Sequence, residues 1–369
     1  MLDEPIIAAS TIAWITFALA LVFGYAGNRS NFCTMGAVSD IVNMGDWVRM
    51  RMWALAAGVA VLGTSGLQLA GLFDPADSIY ASSRFIWLSH LVGGVLFGVG
   101  MTLASGCGSK TLIRIGGGNL KSVIVFIFLA ISAYMTLRGL FGVWRTQTLD
   151  TVAIQLTTGQ DLPSIFAGLG IARETALGII ALLFGGGLVA FALSSREAHQ
   201  ADMVIGAIAI GAVCVAGWYV TAHIGYVEEH PQTLERAFIG TNSGQAESFS
   251  FVAPFAYSLE LFLLWSDASR IVTFGIAGVA GLIVGSAIYA LTSKTWRVES
   301  FTTAGDLVRH IMGGILMGFG GVTALGCTIG QGISGLSTLA IGSALTTAAI
   351  IFGAAVTVKI QYWMIMREA

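Results

Sequence analysis

Long apolar runs separated by short polar stretches set the pattern of this chain. The runs fall at roughly 6–27, 48–72, 85–105, 119–141, 172–194, 202–225, 270–292, 305–326 and 337–364. Each reaches about 20 residues, enough for an α-helix rising 1.5 Å per residue to cross a hydrocarbon core about 30 Å thick. The pattern therefore predicts an all-α fold of about nine transmembrane helices. Two stretches fit neither a span nor a plain loop. Residues 145–171 mix polar and apolar positions and read as an interfacial segment. Phe249–Trp265 is apolar but carries Pro254 and Glu260, which predicts a short interfacial or half-inserted helix.

One stretch occurs twice. His90-Leu-Val-Gly-Gly-Val-Leu-Phe-Gly-Val-Gly-Met-Thr-Leu-Ala-Ser-Gly-Cys107 returns as His310-Ile-Met-Gly-Gly-Ile-Leu-Met-Gly-Phe-Gly-Gly-Val-Thr-Ala-Leu-Gly-Cys327, with 9 of 18 positions identical. Glycine and leucine matches arise easily in apolar helices. A His and a Cys held in register without a gap do not, so the segment is an internal duplication. The copies are the third and eighth predicted spans, five crossings apart. An odd separation makes the repeat inverted, an arrangement that places transport sites between two halves. A full crossing by Phe249–Trp265 would make it parallel. The expected organisation is a single transmembrane transport domain over 1–369, with halves of about 1–144 and 172–369 around the duplicated core 90–107 and 310–327.

Composition and charge agree with a bilayer as the solvent. Hydrophobic residues make up 56% of the chain and charged residues 10%, against about 25% charge in soluble domains. The 48 glycines suit close helix approach in lipid. A net charge of −2 without a basic patch gives no nucleic-acid surface. The acidic start, Met1-Leu-Asp-Glu-Pro5, lacks the cationic beginning of a signal peptide. Of 18 Lys and Arg, 12 fall on the side reached after the first span, from Arg29 to Arg367, and 6 on the other. The positive-inside rule then puts the N-terminus outside and the C-terminus in the cytoplasm. The acidic connection 226–269 falls outside.

Candidate chemistry gathers at three cysteines in Gly- and polar-rich breaks: Cys33 in Gly27-Asn-Arg-Ser-Asn-Phe-Cys, Cys107 in Ser105-Gly-Cys-Gly, and Cys327 in Gly326-Cys-Thr-Ile-Gly-Gln. Irregular backbone inside a membrane protein is tolerated where it lines a cavity or is buried in protein. The residues after each break read as half-helices whose N-terminal N–H groups and positive dipole ends suit an anion. Free cysteines are also ordinary small core residues. That plain reading holds for Cys214, which sits among apolar neighbours. Lys110, three residues past Cys107, either attracts an anion or marks the end of a span. Gln331 offers a neutral donor at a comparable place in the second copy. Asn31 precedes Cys33, and Gly106 and Gly326 precede the duplicated cysteines. Arg29 reads as a positive-inside anchor, and His90 and His310 as interfacial or capping residues. No spacing of Cys or His suggests zinc or haem, and no cofactor or resident metal is expected.

The three cysteine breaks, in this order and over essentially the whole chain, resemble the YeeE/YedE family of bacterial inner-membrane proteins. The resemblance implies uptake of thiosulfate or a related sulfur or selenium anion across the inner membrane. It implies that Cys33, Cys107 and Cys327 line the narrow centre of an hourglass-shaped protein and pass the anion through S–H···S contacts. It also points to a small cytoplasmic sulfur-carrier protein of the TusA type as partner. The residues alone leave two other readings open: a membrane thiol-disulfide oxidoreductase, which the lack of a CxxC pair weakens, and a soft-metal permease with thiolate ligands. The connection 226–269 has no counterpart in what the resemblance implies.

Overall fold

The computed structural model describes residues 3–195, 197, 200–230 and 234–368. Met1, Leu2, Arg196 and Ala369, which bear on the charge and topology expectations, lie outside the described residues. Among the described residues, nine helices of 17 to 28 residues form the body: α1 (Asp3–Arg29), α3 (Val48–Leu69), α4 (Trp87–Leu103), α6 (Leu120–Arg138), α9 (Arg173–Leu193), α10 (Ala201–Tyr219), α12 (Phe274–Thr292), α13 (Ala304–Thr323) and α14 (Ile341–Glu368). Shorter helices are α2 (Thr34–Met44), α5 (Gly108–Gly116), α7 (Leu140–Gln147), α8 (Leu162–Gly168) and α11 (Ala253–Leu263). Among the described residues, 8 helical stretches are long and apolar enough to cross a membrane, so the chain is an all-α, multi-pass membrane protein. The expected span at 305–326 is the one that falls short on this measure. Its helix, α13, has full length, but Asp306, Arg309 and a run of glycines lower its hydropathy, and it packs between α4 and α6.

Glycines set how the two duplicated helices meet. A Cβ placed on Gly93 would fall 2.6 Å from the Gly320 carbonyl oxygen, and one on Gly320 would fall 2.6 Å from that of Gly93. Gly100 and Gly313 face each other in the same way at 2.7 Å. Numbers rise along α4 as they fall along α13, so the copies run antiparallel. Each copy lays its first glycine on the other's second, a self-complementary contact of the kind a two-fold axis produces. Backbones this close gain dispersion contacts that larger side chains would prevent.

The same interchange runs through the rest of the packing. Helix α1 lies on α12 as α10 lies on α3, and α4 on α14 as α13 on α6. Likewise α2 lies on α14 as α11 lies on α6, while α5 packs on α12 as the turn Gly330–Thr338 packs on α3. Helix α11 has 11 residues, about 16 Å at 1.5 Å per residue, and is too short to cross. The segment whose crossing would have made the repeat parallel is thus a half-helix, the mate of α2. Residues 140–193 take no part in this exchange. They build α7, α8, α9 and a two-residue strand, β2 (Ile154–Gln155), antiparallel to β1 (Arg84–Phe85). Part of the 226–269 connection, residues 246–261, lies inside the protein: Phe249, Phe251, Val252 and Phe255 are at most 1% exposed.

Candidate functional site

Three breaks share one backbone design. Two residues before each cysteine the chain takes the left-handed conformation, at Asn31 (φ 52), Ser105 (φ 57) and Leu325 (φ 59). One residue before it, the N–H reaches back to a carbonyl five positions earlier: Phe32 to Gly27 at 3.0 Å, Gly106 to Met101 at 2.8 Å, Gly326 to Gly321 at 2.7 Å. These bonds close each long helix in a Schellman-type end. The cysteine then starts a new helical segment, its carbonyl accepting from Ala37, Thr111 or Gln331 at 3.0, 2.9 and 2.7 Å. A left-handed residue with a side chain costs about 1–2 kcal/mol, so three such residues at equivalent places mark a design rather than an accident.

The thiols occupy helix-cap positions. Gly36 N–H donates to Cys33 Sγ at 3.3 Å, and Gly330 N–H to Cys327 Sγ at 3.4 Å. Cys107 Sγ instead meets the Ser109 hydroxyl at 3.3 Å. Each cysteine therefore stands at the N-terminal end of a helical segment, near the positive end of its dipole, and two of the three sulfurs accept a backbone N–H. The Phe251 main chain also bonds to Cys327. Cys107 lies within electrostatic reach of both Cys33 and Cys327. All are buried, at 7%, 1% and 0% exposure for Cys33, Cys107 and Cys327.

The two approaches to this series differ in character. Beside Cys33 and Cys107, the buried Lys110 ammonium donates to Asn31 Oδ1 at 2.5 Å. Arg114 donates to the Ser105 carbonyl at 2.7 Å, and Arg49, bonded to Asp40 at 3.2 Å, lies against Gly36. Asn31 and Lys110, both singled out by their spacing, thus meet across 79 residues at the end of the molecule where Arg29 pairs with Asp202. Beside Cys327, at the opposite end, is a cavity of about 200 Å³ bordered by Tyr80, Glu247, Ser250, Tyr257, Leu325 and Gly326. Gln331 is fully buried, its amide donating to the Ala324 carbonyl at 2.6 Å while its Oε1 has no partner.

Several groups were invisible to spacing arguments. Thr34 and Thr328 each follow a cysteine, are buried, and have hydroxyls without a hydrogen-bond partner. The repeated Cys-Thr dipeptide was the available signal. Ser109, Arg114 and the Phe251 main chain reach the thiols only through the fold. The histidines correct a different expectation. His90 is not interfacial: it is 2% exposed and its Nδ1 meets Thr346 Oγ1 at 2.7 Å. His310 is buried too, with Nδ1 2.8 Å from the Asp306 carbonyl.

Cys214 stands at 0% exposure on α10, hydrogen-bonded to Ser334 and within electrostatic reach of Cys327, but it is neither a cap nor part of a break. Cys214→Ala is expected to leave uptake near normal and to lower the melting temperature slightly. A loss of uptake equal to that of Cys107→Ala at the same protein level would overturn its assignment as core. The four cysteines are free thiols. Among the described residues, no group of three or more His, Cys, Asp or Glu side chains is arranged to hold a metal.

Comparison with known proteins identifies the family. The thiosulfate transporter TsuA of Escherichia coli (strain K12) is 26% identical over 325 residues, covering 85% of this chain and 84% of the relative. TsuA of Spirochaeta thermophila is 23% identical over 347 residues, 92% of this chain and 96% of that protein. The family model for sulphur transport matches residues 29–356, which begins just before the Cys33 break and runs past the Cys327 turn. The chain belongs to the sulphur transport (YeeE/YedE) family.

Proposed function

We propose that this protein carries thiosulfate, or a closely related sulfur or selenium anion, into the cell across the bacterial inner membrane. In this reading Cys327, Cys107 and Cys33 pass the anion inward in that order. The observation that carries it is the series of three thiols, each capping a helical segment at an identical backbone break. The named relatives transport thiosulfate, which supports the substrate class.

The chemistry suits the arrangement. An ion taken into low dielectric loses hydration worth of the order of 20 kcal/mol in the idealised limit. Backbone N–H groups at the three caps replace part of that hydration without a counter-ion that would trap a dianion. A thiol is a weak donor, and weakness lets the anion leave each position. The S–H group also matches a polarisable terminal sulfur better than a hard oxygen. Each thiol stays a thiol throughout, with no bond made or broken. The absence of a three-ligand cluster among the described residues disfavours a soft-metal permease, and the unpaired thiols in series disfavour electron exchange.

We further infer two inverted halves, α1–α6 and α10–α14, supported by the interchange of packing partners. Charge distribution supports an N-terminus in the periplasm and a C-terminus in the cytoplasm. The end carrying Arg49, Lys110 and Arg114 is then the exit, where a TusA-type sulfur carrier would receive the substrate. Proteoliposomes holding the protein should accumulate labelled thiosulfate and not labelled sulfate. Uptake of Cu(I) or Ag(I) that ignores thiosulfate would overturn the proposal.

Lys110 tests the direction of transport. Lys110→Met removes a cation of the exit end but leaves every thiol, so the maximal rate of uptake should fall several-fold with KM little changed. A raised KM whose deficit vanishes at high thiosulfate would instead place Lys110 at the entry.

A further inference from the structure

Residues 140–171 stand outside the two-fold exchange of helices, yet they enclose space beside the thiol path. The chain after α7 folds back on residues 78–86: Arg84 and Phe85 pair with Gln155 and Ile154, and the Leu156 N–H donates to the Ser83 carbonyl at 2.9 Å. Between these stretches lies a cavity of about 680 Å³, bordered by Ser82, Arg84, Arg145, Asp150, Gln160 and Leu325. It shares Ile79 and Leu325 with the cavity beside Gly326, so one wall separates it from the approach to Cys327.

Its charge is unbalanced toward the positive. Arg145 is 14% exposed and puts one amino group 3.2 Å from Asp150 Oδ2, while its Nε–H is buried without an acceptor. Arg84 donates one amino group to the Asp150 carbonyl oxygen at 2.6 Å. The other Asp150 carboxylate oxygen receives the Ser89 hydroxyl at 2.6 Å. Two guanidinium groups thus face one carboxylate, and Gln160, 2% exposed, completes the wall.

We propose that this cavity is a separate binding site for small divalent oxyanions, held by Arg84 and Arg145 before the anion passes Leu325 toward Cys327. The passage toward Cys327 rests on the thiosulfate reading, whereas binding in the cavity stands without it. Planar guanidinium forks recognise sulfonate and sulfate oxygens by charge and geometry. They read the oxygen end of the anion, which thiosulfate and sulfate share. Collection at this site is therefore indifferent to the terminal sulfur, and selection falls to the thiols behind it. Sulfate should occupy the site and slow thiosulfate entry without being carried.

The test is binding of labelled sulfate to the full-length protein in nanodiscs, with thiosulfate as competitor and melting curves as a check on folding. Wild type should bind sulfate competitively with thiosulfate. The double variant Arg84→Gln/Arg145→Gln should weaken binding roughly tenfold or more, the order of losing charge-assisted hydrogen bonds. Because Arg145 also braces Asp150, Ala76→Trp gives an independent block: Ala76 is exposed on the cavity border and touches neither arginine contact. It should weaken binding similarly at unchanged melting temperature. Cys107→Ala/Cys327→Ala should bind sulfate as wild type does. Absence of sulfate binding to wild type, wild-type affinity in the folded Ala76→Trp protein, or loss of binding in the cysteine variant would each overturn the site. Failure of the relay would appear separately, as normal thiosulfate uptake in the cysteine variants with sulfate binding intact.

Discussion

Cys107→Ala is expected to reduce thiosulfate uptake to the level of empty vesicles, and Cys107→Ser to do nearly the same. Cys107 is within electrostatic reach of both other thiols, so in the proposed relay its loss removes the group that links them. It is also 1% exposed within the apolar core. Serine keeps nearly the size and can still bond to the Ser109 hydroxyl, the one side-chain partner of the Cys107 thiol. Stability should therefore hold while transport fails. What serine lacks is a soft, weak donor for a terminal sulfur. Alanine leaves a small void in addition, worth about 1 kcal/mol or less of stability for one deleted sulfur. Growth on thiosulfate as sole sulfur source, together with proteoliposome uptake, separates the two properties. Normal uptake in both Cys107 and Cys327 variants, properly inserted, would refute the relay.

The spans were legible because apolar runs of membrane length need no tertiary information to be recognised. Helix α13 was the marginal case, since its glycines serve close packing on α4 rather than contact with lipid. The breaks at Cys33, Cys107 and Cys327 were legible from local polarity and glycine. Their backbone was not. Asparagine at position 31 suits a left-handed residue, but Ser105 and Leu325 carry no such preference, and the glycines stand one place later, at 106 and 326. Contacts across long sequence separations were out of reach. Asn31 with Lys110 is one case, and His90 with Thr346 another. His90 looked interfacial only because its partner lies 256 residues away.

The duplication was legible at α4 and α13, where half the residues still match, and illegible at the mates around it. Helix α2 begins at a Cys33 cap, whereas its packing counterpart α11 begins at Val252. Position for position, the second half has an apolar residue where the first has a thiol. The pseudo-symmetry is thus kept in backbone packing, where glycine and helix direction enforce it. It is broken at the site, where Cys33 stands at the start of α2 and Val252 at the start of its counterpart α11. Beyond the short helix read at 249–265, the connection 226–269 supplied no pattern, because its buried part is held by serine hydroxyls. Ser334 donates to the Phe249 carbonyl at 2.7 Å and Ser248 to that of Cys214 at 2.7 Å, contacts that leave no periodicity.

The crossing of α4 and α13 should tolerate almost nothing larger than glycine at its four contact points. A Cβ on Gly100 would lie 2.7 Å from the Gly313 carbonyl oxygen and 2.8 Å from the Met317 nitrogen, both backbone atoms that cannot rotate away. Gly100→Leu therefore requires the two helices to separate, and little folded protein should accumulate. Gly100→Ala asks for a smaller shift, at a cost of about 1–3 kcal/mol by the usual measure of overpacking. Its effect on uptake should exceed its effect on stability. Cys107 follows Gly100 by seven residues and Cys327 follows Gly320 by seven, so widening the crossing moves one thiol away from the other. The contact is self-complementary, so Gly320→Ala, the equivalent position in the second copy, should match Gly100→Ala in both melting temperature and uptake. The double variant should cost less than the sum of the two, because one displacement relieves both clashes. Gly187→Leu on α9, where a Cβ meets nothing within 4 Å, is the control that should leave both properties unchanged. A Gly100→Leu protein with wild-type melting and uptake would show that the two copies do not meet at these glycines.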